Sequence, residues 1–124
     1  PGQVMAYACR ERIEVKAGVS TKARLFQDDT VRELTSQVSA VLGLTGSFCH
    51  QVRGTASSGW QVIDVNPRVG GGTAMSVAAG FDFPSAHAAH FLNHDPAPFF
   101  KARAAGDMYI VRSFQEHVTW PQNQ

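Results

Sequence analysis

Cysteine is scarce in this sequence. Its 124 residues hold two, Cys9 and Cys49, in no metal-binding spacing. That excludes a disulfide-stapled framework and a cysteine zinc site, and it suits reduced intracellular thiols. Charge is scarce too: Asp, Glu, Lys and Arg make up 17%, below the roughly 25% of an average soluble domain. Eleven Lys+Arg against ten Asp+Glu leave a formal charge of +1, and no run of like charge exceeds two or three residues. Neither nucleic acid nor an anionic membrane surface finds an electrostatic footprint in that balance. No apolar stretch approaches the roughly 20 residues that span a bilayer. The N-terminus lacks the basic-then-apolar pattern of a secretory signal; the expected location is cytoplasmic. There is no internal repeat and no low-complexity tract.

What is present is enough apolar material for a core, 44% of the residues, in a length that suits one domain over residues 1–124. The chain opens at Pro1 and enters a strand-like pattern almost at once, so it is expected to be a piece of a longer protein. Val4–Lys16 alternates imperfectly between apolar and polar residues, as a strand does. Lys22–Gln27 follows a short turn containing Gly18 and should pair with it. Thr30–Leu42 is the clearest helix: Thr30 and Glu33 have capping-box spacing, and Val31, Leu34, Val38, Val41 and Leu42 form an apolar face. Gly43 follows where a left-handed cap is wanted.

Two short strands, Phe48–Arg53 and Trp60–Asn66, flank the small polar loop Gly54–Gly59, and Pro67 ends the second. Helices are expected over Thr73–Ala79 and Ser85–Leu92, and a long final strand over Asp107–Trp120. The order β-β-α-β-β-α-α-β predicts an α+β fold with a largely antiparallel sheet and flanking helices.

The segment Val62-Ile63-Asp64-Val65-Asn66-Pro67-Arg68 carries the best candidate chemistry. Alternate strand residues share a face, so Asp64 and Asn66 point one way, while Ile63 and Val65 point into a core. A carboxylate and an amide oxygen on one face are hard donors of the kind Mg²⁺ prefers, and Gln51 on the partner strand adds a third. Arg68 follows, with a fork suited to phosphate or carboxylate. The same pattern also fits the polar outer face of a hairpin, with Pro67 and Gly70 as turn formers. Gly70-Gly71-Gly72-Thr73 before a helix allows close approach of an anion to the backbone, although no P-loop Lys-Ser/Thr follows. His87, His90 and His94 share a helical spacing that would serve zinc or a plain polar stripe. Cys49 and His50 are neighbours on a strand and face opposite ways, which argues against a nucleophile–base pair. Phe81, Phe83, Phe91, Phe99 and Phe100 read as core or as a surface left bare by an absent neighbour.

Gly46-Ser-Phe-Cys-His-Gln51, followed by Val62-Ile-Asp-Val-Asn-Pro-Arg68-Val-Gly-Gly-Gly-Thr-Ala-Met-Ser-Val-Ala-Ala-Gly80, resembles the C-terminal part of ATP-grasp enzymes of the carbamoyl-phosphate synthetase large-subunit type. Arg10–Lys22 and Phe83–Leu92 extend the likeness over roughly residues 6 to 118. The resemblance implies the C-terminal lobe of a ligase that uses ATP and Mg²⁺ (or Mn²⁺) to activate a small carboxylate as an acyl phosphate for attack by an amine or other nucleophile. Gln51, Asp64 and Asn66 would hold the metal. Arg68 would contact the transferred phosphate, and Gly70, Gly71 and Gly72 would form the loop bordering substrate and cofactor. The sequence departs from the family where most members carry Glu in place of Asp64, and Gln51 replaces an acid as in the synthetase branch. An ATP-grasp fold needs about 200 residues or more. The N-terminal lobe with its adenine-clamping lid is therefore an implied partner, the isolated chain is expected to be inactive, and exposed phenylalanines leave room for homo-oligomerisation. The contrasting reading is a non-catalytic ATP-grasp-like protein-interaction domain.

Overall fold

The computed structural model describes residues 2–55, 57–101 and 106–120. Strand β1 (Cys9–Lys16) turns into β2 (Val19–Phe26) through Ala17 and Gly18, whose φ angles are 49° and 77°. Two consecutive left-handed residues make the turn whose twist matches that of paired strands, which is why the hairpin is this tight. β2 also pairs antiparallel with β5 (Met108–Val111), giving a three-stranded sheet in the order β1-β2-β5. Its inner face carries Thr21, Ala23 and Leu25, all buried, with Ala23 at 0% and Leu25 at 2% exposure.

Both outer strands are shorter than the sequence predicts, because β2 offers a partner only from Val19 to Phe26. Cys9 pairs with Phe26, the last residue of β2. The preceding segment leaves the sheet, and Gly2 exchanges hydrogen bonds with Ser36 and Ser39 instead. At the other end Lys22 pairs with Val111, and the Arg112 N–H donates to the Thr21 carbonyl at 2.8 Å. Two residues further that register reaches Val19, where β2 begins. The expected strand to Trp120 therefore has no partner, and Phe114, Val118 and Trp120 lie exposed.

Helix α1 (Asp29–Leu42) is capped by Asp28 rather than by a Thr30/Glu33 box. The Asp28 carboxylate accepts from the Thr30 and Val31 N–H groups at 2.9 and 3.1 Å, and a carboxylate is at least as good a cap as a hydroxyl. Glu33 instead accepts from Gln37 one turn on. Gly43 closes the helix at φ 63°. The buried stripe is Val31 and Ser39 with Thr35 between them, while Val41 is 83% exposed and Leu42 also faces outward. The apolar face is displaced because Ser39 is occupied internally, donating to the Leu44 carbonyl at 3.0 Å and accepting from Gly2.

β3 (Cys49–Thr55) and β4 (Gly59–Asn66) form a separate two-stranded antiparallel sheet. The strands run closer to the loop tip than expected; Ala56 of that loop lies outside the described residues. The Trp60 indole N–H donates to the second Asp28 oxygen at 3.2 Å, tying this hairpin to the start of α1. Two helices follow, α2 (Thr73–Ala78) and α3 (Phe83–Phe91). α3 is capped by Asp82, which accepts from the Ser85 N–H, and it starts two residues earlier than expected because Pro84 suits a first turn. Met75, Ser76, Ala79, Ala86 and Ala89 are the buried residues of this part. Phe83 contacts both Phe81 and Phe100, so these three act as packing, whereas Phe91 lies exposed against His87 and His90. The architecture is α+β with antiparallel sheets, split in two where one sheet was expected. Among the described residues no helix is long and apolar enough to cross a membrane.

Candidate functional site at the hairpin and the glycine loop

Asp64 and Asn66 lie two residues apart on β4, and Gln51 stands directly opposite Asp64 on β3. The register brings all three together. The Gln51 amide donates to Asp64 Oδ2 at 3.0 Å, and the Asn66 amide donates to the same oxygen at 2.5 Å. Immediately beside them the ladder skips: Gln51 pairs with Asp64 but Val52 pairs with Val62, so Ile63 is an inserted residue. A bulge turns the strand and changes which face its residues take. That explains why Ile63, expected in the core, is 55% exposed.

The donor set is one carboxylate and two carboxamides, all hard-oxygen groups. Both amides now turn their N–H toward Asp64, and a half-turn of each would present its carbonyl oxygen instead. The residues therefore fit a Mg²⁺ ion by donor type, with a single formal negative charge between them.

Arg68 follows at the end of β4. It is exposed, and its Nη1 donates to the Val69 carbonyl at 3.0 Å, so the rest of its fork faces outward. In the glycine loop, a Cβ on Gly70 would stand 3.0 Å from Cys49 Sγ, and one on Gly72 would stand 2.3 Å from Arg10 Cζ. The chain's own side chains press on the loop at both glycines, and at Gly72 the group in the way is the end of a flexible side chain. Gly71 has open space where a Cβ would be.

The loop therefore introduces two residues that the motif reading passed over. Arg10 on β1 lies across Gly72 and reaches Ser76 Oγ with Nη1 at 3.4 Å, and Arg112 donates to the Gly71 carbonyl at 2.9 Å. The available signal was the Arg10-Glu11-Arg12 alternation, which places two arginines on one strand face; only the strand register shows where that face points.

A cavity of about 1140 Å³ opens between the two sheets, lined among others by Arg10, Arg12, Cys49, His50, Gln51 and Ser76. Asp64, Asn66 and Arg68 stand outside its lining, with Gln51 the member of the trio that reaches it. Within the lining, burial pushes the His50 imidazole below its usual pKa; its Nε2 is 2.8 Å from Thr35 Oγ1 and its buried Nδ1 has no partner among the described residues. Cys9, also in the lining, is a thiol that burial pushes up to about 11. His87 accepts from the Ser47 N–H at 2.9 Å, which takes one of its nitrogens away from any joint site with His90 and His94. Among the described residues no three or more His, Cys, Asp or Glu side chains are grouped so that they could hold a metal ion.

The chain belongs to the ATP-grasp family: the family model described as "ATP-grasp in the biosynthetic pathway with Ter operon" matches residues 1–113. It is in that sense an ATP-grasp domain, of the ATP-dependent ligase type. No curated protein and no solved structure matches the chain.

Proposed function

We propose that this chain is the metal- and phosphate-binding lobe of an ATP-grasp ligase of the carbamoyl-phosphate synthetase kind, lying C-terminal to the lobe that clamps adenine. In this reading γ-phosphoryl transfer makes an acyl phosphate from a small carboxylate, and an amine or other nucleophile then displaces the phosphate. The convergence of Gln51 and Asn66 on one oxygen of Asp64 carries the reading. Those three residues would hold Mg²⁺, which supplies neutralisation of the phosphate charge when bound. Asp64 fixes the pair of amides, Arg68 offers its free guanidinium edge to the transferred group, and Gly71 leaves the backbone open to a ligand. Chemistry of this kind relies on positioning and charge more than on a protein base.

The test is a titration of the full-length protein with a non-hydrolysable ATP analogue, with and without Mg²⁺, comparing wild type with the Asp64→Ala and Asn66→Ala variants. Metal-dependent binding that is lost in both variants is the expected result. Binding that is indifferent to both positions removes the metal assignment and leaves an ATP-grasp scaffold used for protein interaction.

A further inference from the structure

Three arginines on the inner face of the larger sheet have no part in the metal reading. Arg10 stands opposite Leu25 and Arg12 opposite Ala23, and Ala23 in turn stands opposite Ile110. Paired residues share a face, and so do residues two apart. Arg10, Arg12 and Arg112, which is two past Ile110, therefore project from the same side as buried Ala23 and Leu25. That side meets the glycine loop, where Arg10 covers Gly72 and Arg112 holds the Gly71 carbonyl.

Arg10 and Arg112 are half-buried and Arg12 is exposed, and arginines drawn out of water are ordinarily paired with a carboxylate. The ion pairs of the described residues are made by Lys16, Lys22 and Arg24 with Glu11, Glu14 and Asp107. Among the described residues none of the three arginines reaches a carboxylate. Burial lowers the pKa of Arg10, Cys49 opposes that shift, and the Arg12 and Arg112 charges push it down again, as neighbouring cations do. Gathering like charges at a half-buried place costs free energy, and the partners that Arg10 and Arg112 do reach, the Ser76 hydroxyl and the Gly71 carbonyl, carry no negative charge to offset it. An anion arriving from solvent would return it, and the backbone at Gly71 is open to such a ligand.

We propose that Arg10, Arg12 and Arg112 form an anion subsite beside Gly71 that takes a second anionic group of the substrate, a carboxylate or a phosphate, apart from the carboxylate that is activated. The substrate is then a polyanion of at least two charges. Calling the ligand a substrate rests on the ligase reading above; the anion binding itself needs neither metal nor nucleotide.

The experiment is calorimetric titration of the full-length protein with inorganic pyrophosphate and, separately, with malonate, in the absence of Mg²⁺ and nucleotide. Arg12→Gln and Arg112→Gln test the subsite from positions that do not carry the core. Arg32→Gln, on the exposed side of α1, makes the same charge change elsewhere. Wild type should bind at least one of the two anions at one site. Each subsite variant should weaken binding about tenfold or more, and Arg32→Gln should change it by less than about twofold. Preference for pyrophosphate assigns a phosphate-bearing substrate, and preference for malonate assigns a polycarboxylate. The proposal is overturned if neither anion binds, or if Arg32→Gln weakens binding as much as the subsite variants do. Asp64→Ala should leave this titration unchanged. A protein that binds the anion yet fails the Mg²⁺–nucleotide test loses the metal reading alone, and the reverse pattern loses the subsite alone.

Discussion

Replacing Gly72 by alanine should separate the arginine subsite from the stability of the fold. The new Cβ would stand 2.3 Å from Arg10 Cζ, 2.4 Å from Nη2 and 2.7 Å from Nε. Carbon atoms in contact sit about 3.5–4.0 Å apart, so the guanidinium must move by about an ångström or more. Backbone strain is absent, because Gly72 has φ −86° and ψ −1°, which an alanine adopts. The group that must yield is the end of a flexible side chain, and its bond to Ser76 is a long one at 3.4 Å. Alanine also restricts the unfolded chain, a gain of about 0.4–1 kcal/mol, against a loss of similar size, about 0.3–1.5 kcal/mol, for a poorer N-cap residue at the start of α2. Net stability should change by less than about 1 kcal/mol, a shift of only a few degrees in Tm for a domain of this size. Anion affinity has more to lose: a hydrogen bond to a charged group contributes about 1.5–3 kcal/mol, so the pyrophosphate or malonate Kd should rise about ten- to a hundredfold. Thermal melting and the metal-free titration, run on the same preparation, read the two quantities. A Kd that stays put would remove Arg10 from the subsite. A melting point lowered by more than about 10 °C would show Arg10 to be a fixed strut of the core and refute the reasoning about its freedom to move.

Leu25→Ala, on the inner face of β2, should destabilise by about 2–5 kcal/mol, read as a lowered urea midpoint with unchanged slope; a change under about 1 kcal/mol would mean that face is not the core. The Asp28 carboxyl is held below the usual range, first by the Thr30 hydroxyl and then by the Val31 N–H, the Trp60 indole and the Thr30 N–H. The unfolded state therefore takes up this proton first, so the contribution is complete above the ordinary carboxylate range near pH 4 and is lost as pH falls through the depressed folded value. Asp28→Asn keeps a cap but removes the titration, so urea midpoints followed from pH 6 to pH 2 should fall less steeply in that variant than in wild type. Burial that pushes Cys9 up to about 11 should leave it unmodified by iodoacetamide at pH 8 in the native protein and modified in urea; prompt native labelling at Cys9, located by peptide mass, would contradict its burial.

The elements legible in the sequence were those set by neighbours along the chain. The Asp64/Asn66 alternation, the opposing Gln51, the Gly43 cap and the Ala17-Gly18 turn region all follow from local periodicity or from a residue's own φ preference. Misreadings occurred where a distant partner decided the outcome. The inward direction expected for Ile63 fails at a bulge that depends on how β3 and β4 pair. The apolar face of α1 rotated because Ser39 is engaged by Leu44 and by Gly2, a residue far away in sequence. Thr30 lost the cap to Asp28, whose second oxygen is held by Trp60 on another element.

The candidate site divides in the same way. Residue type and a period of two were enough to nominate Gln51, Asp64 and Asn66, since a strand repeats its faces whatever lies around it. The arginine subsite depended on the sheet order β1-β2-β5, which brings Arg112 to the face of Arg10 and Arg12 although it lies about a hundred residues away along the chain. No spacing rule reaches across that interval. Hydrogen bonds to β2 set the register on both sides, and the register decides that three like charges share one sheet face, two of them at the glycine loop.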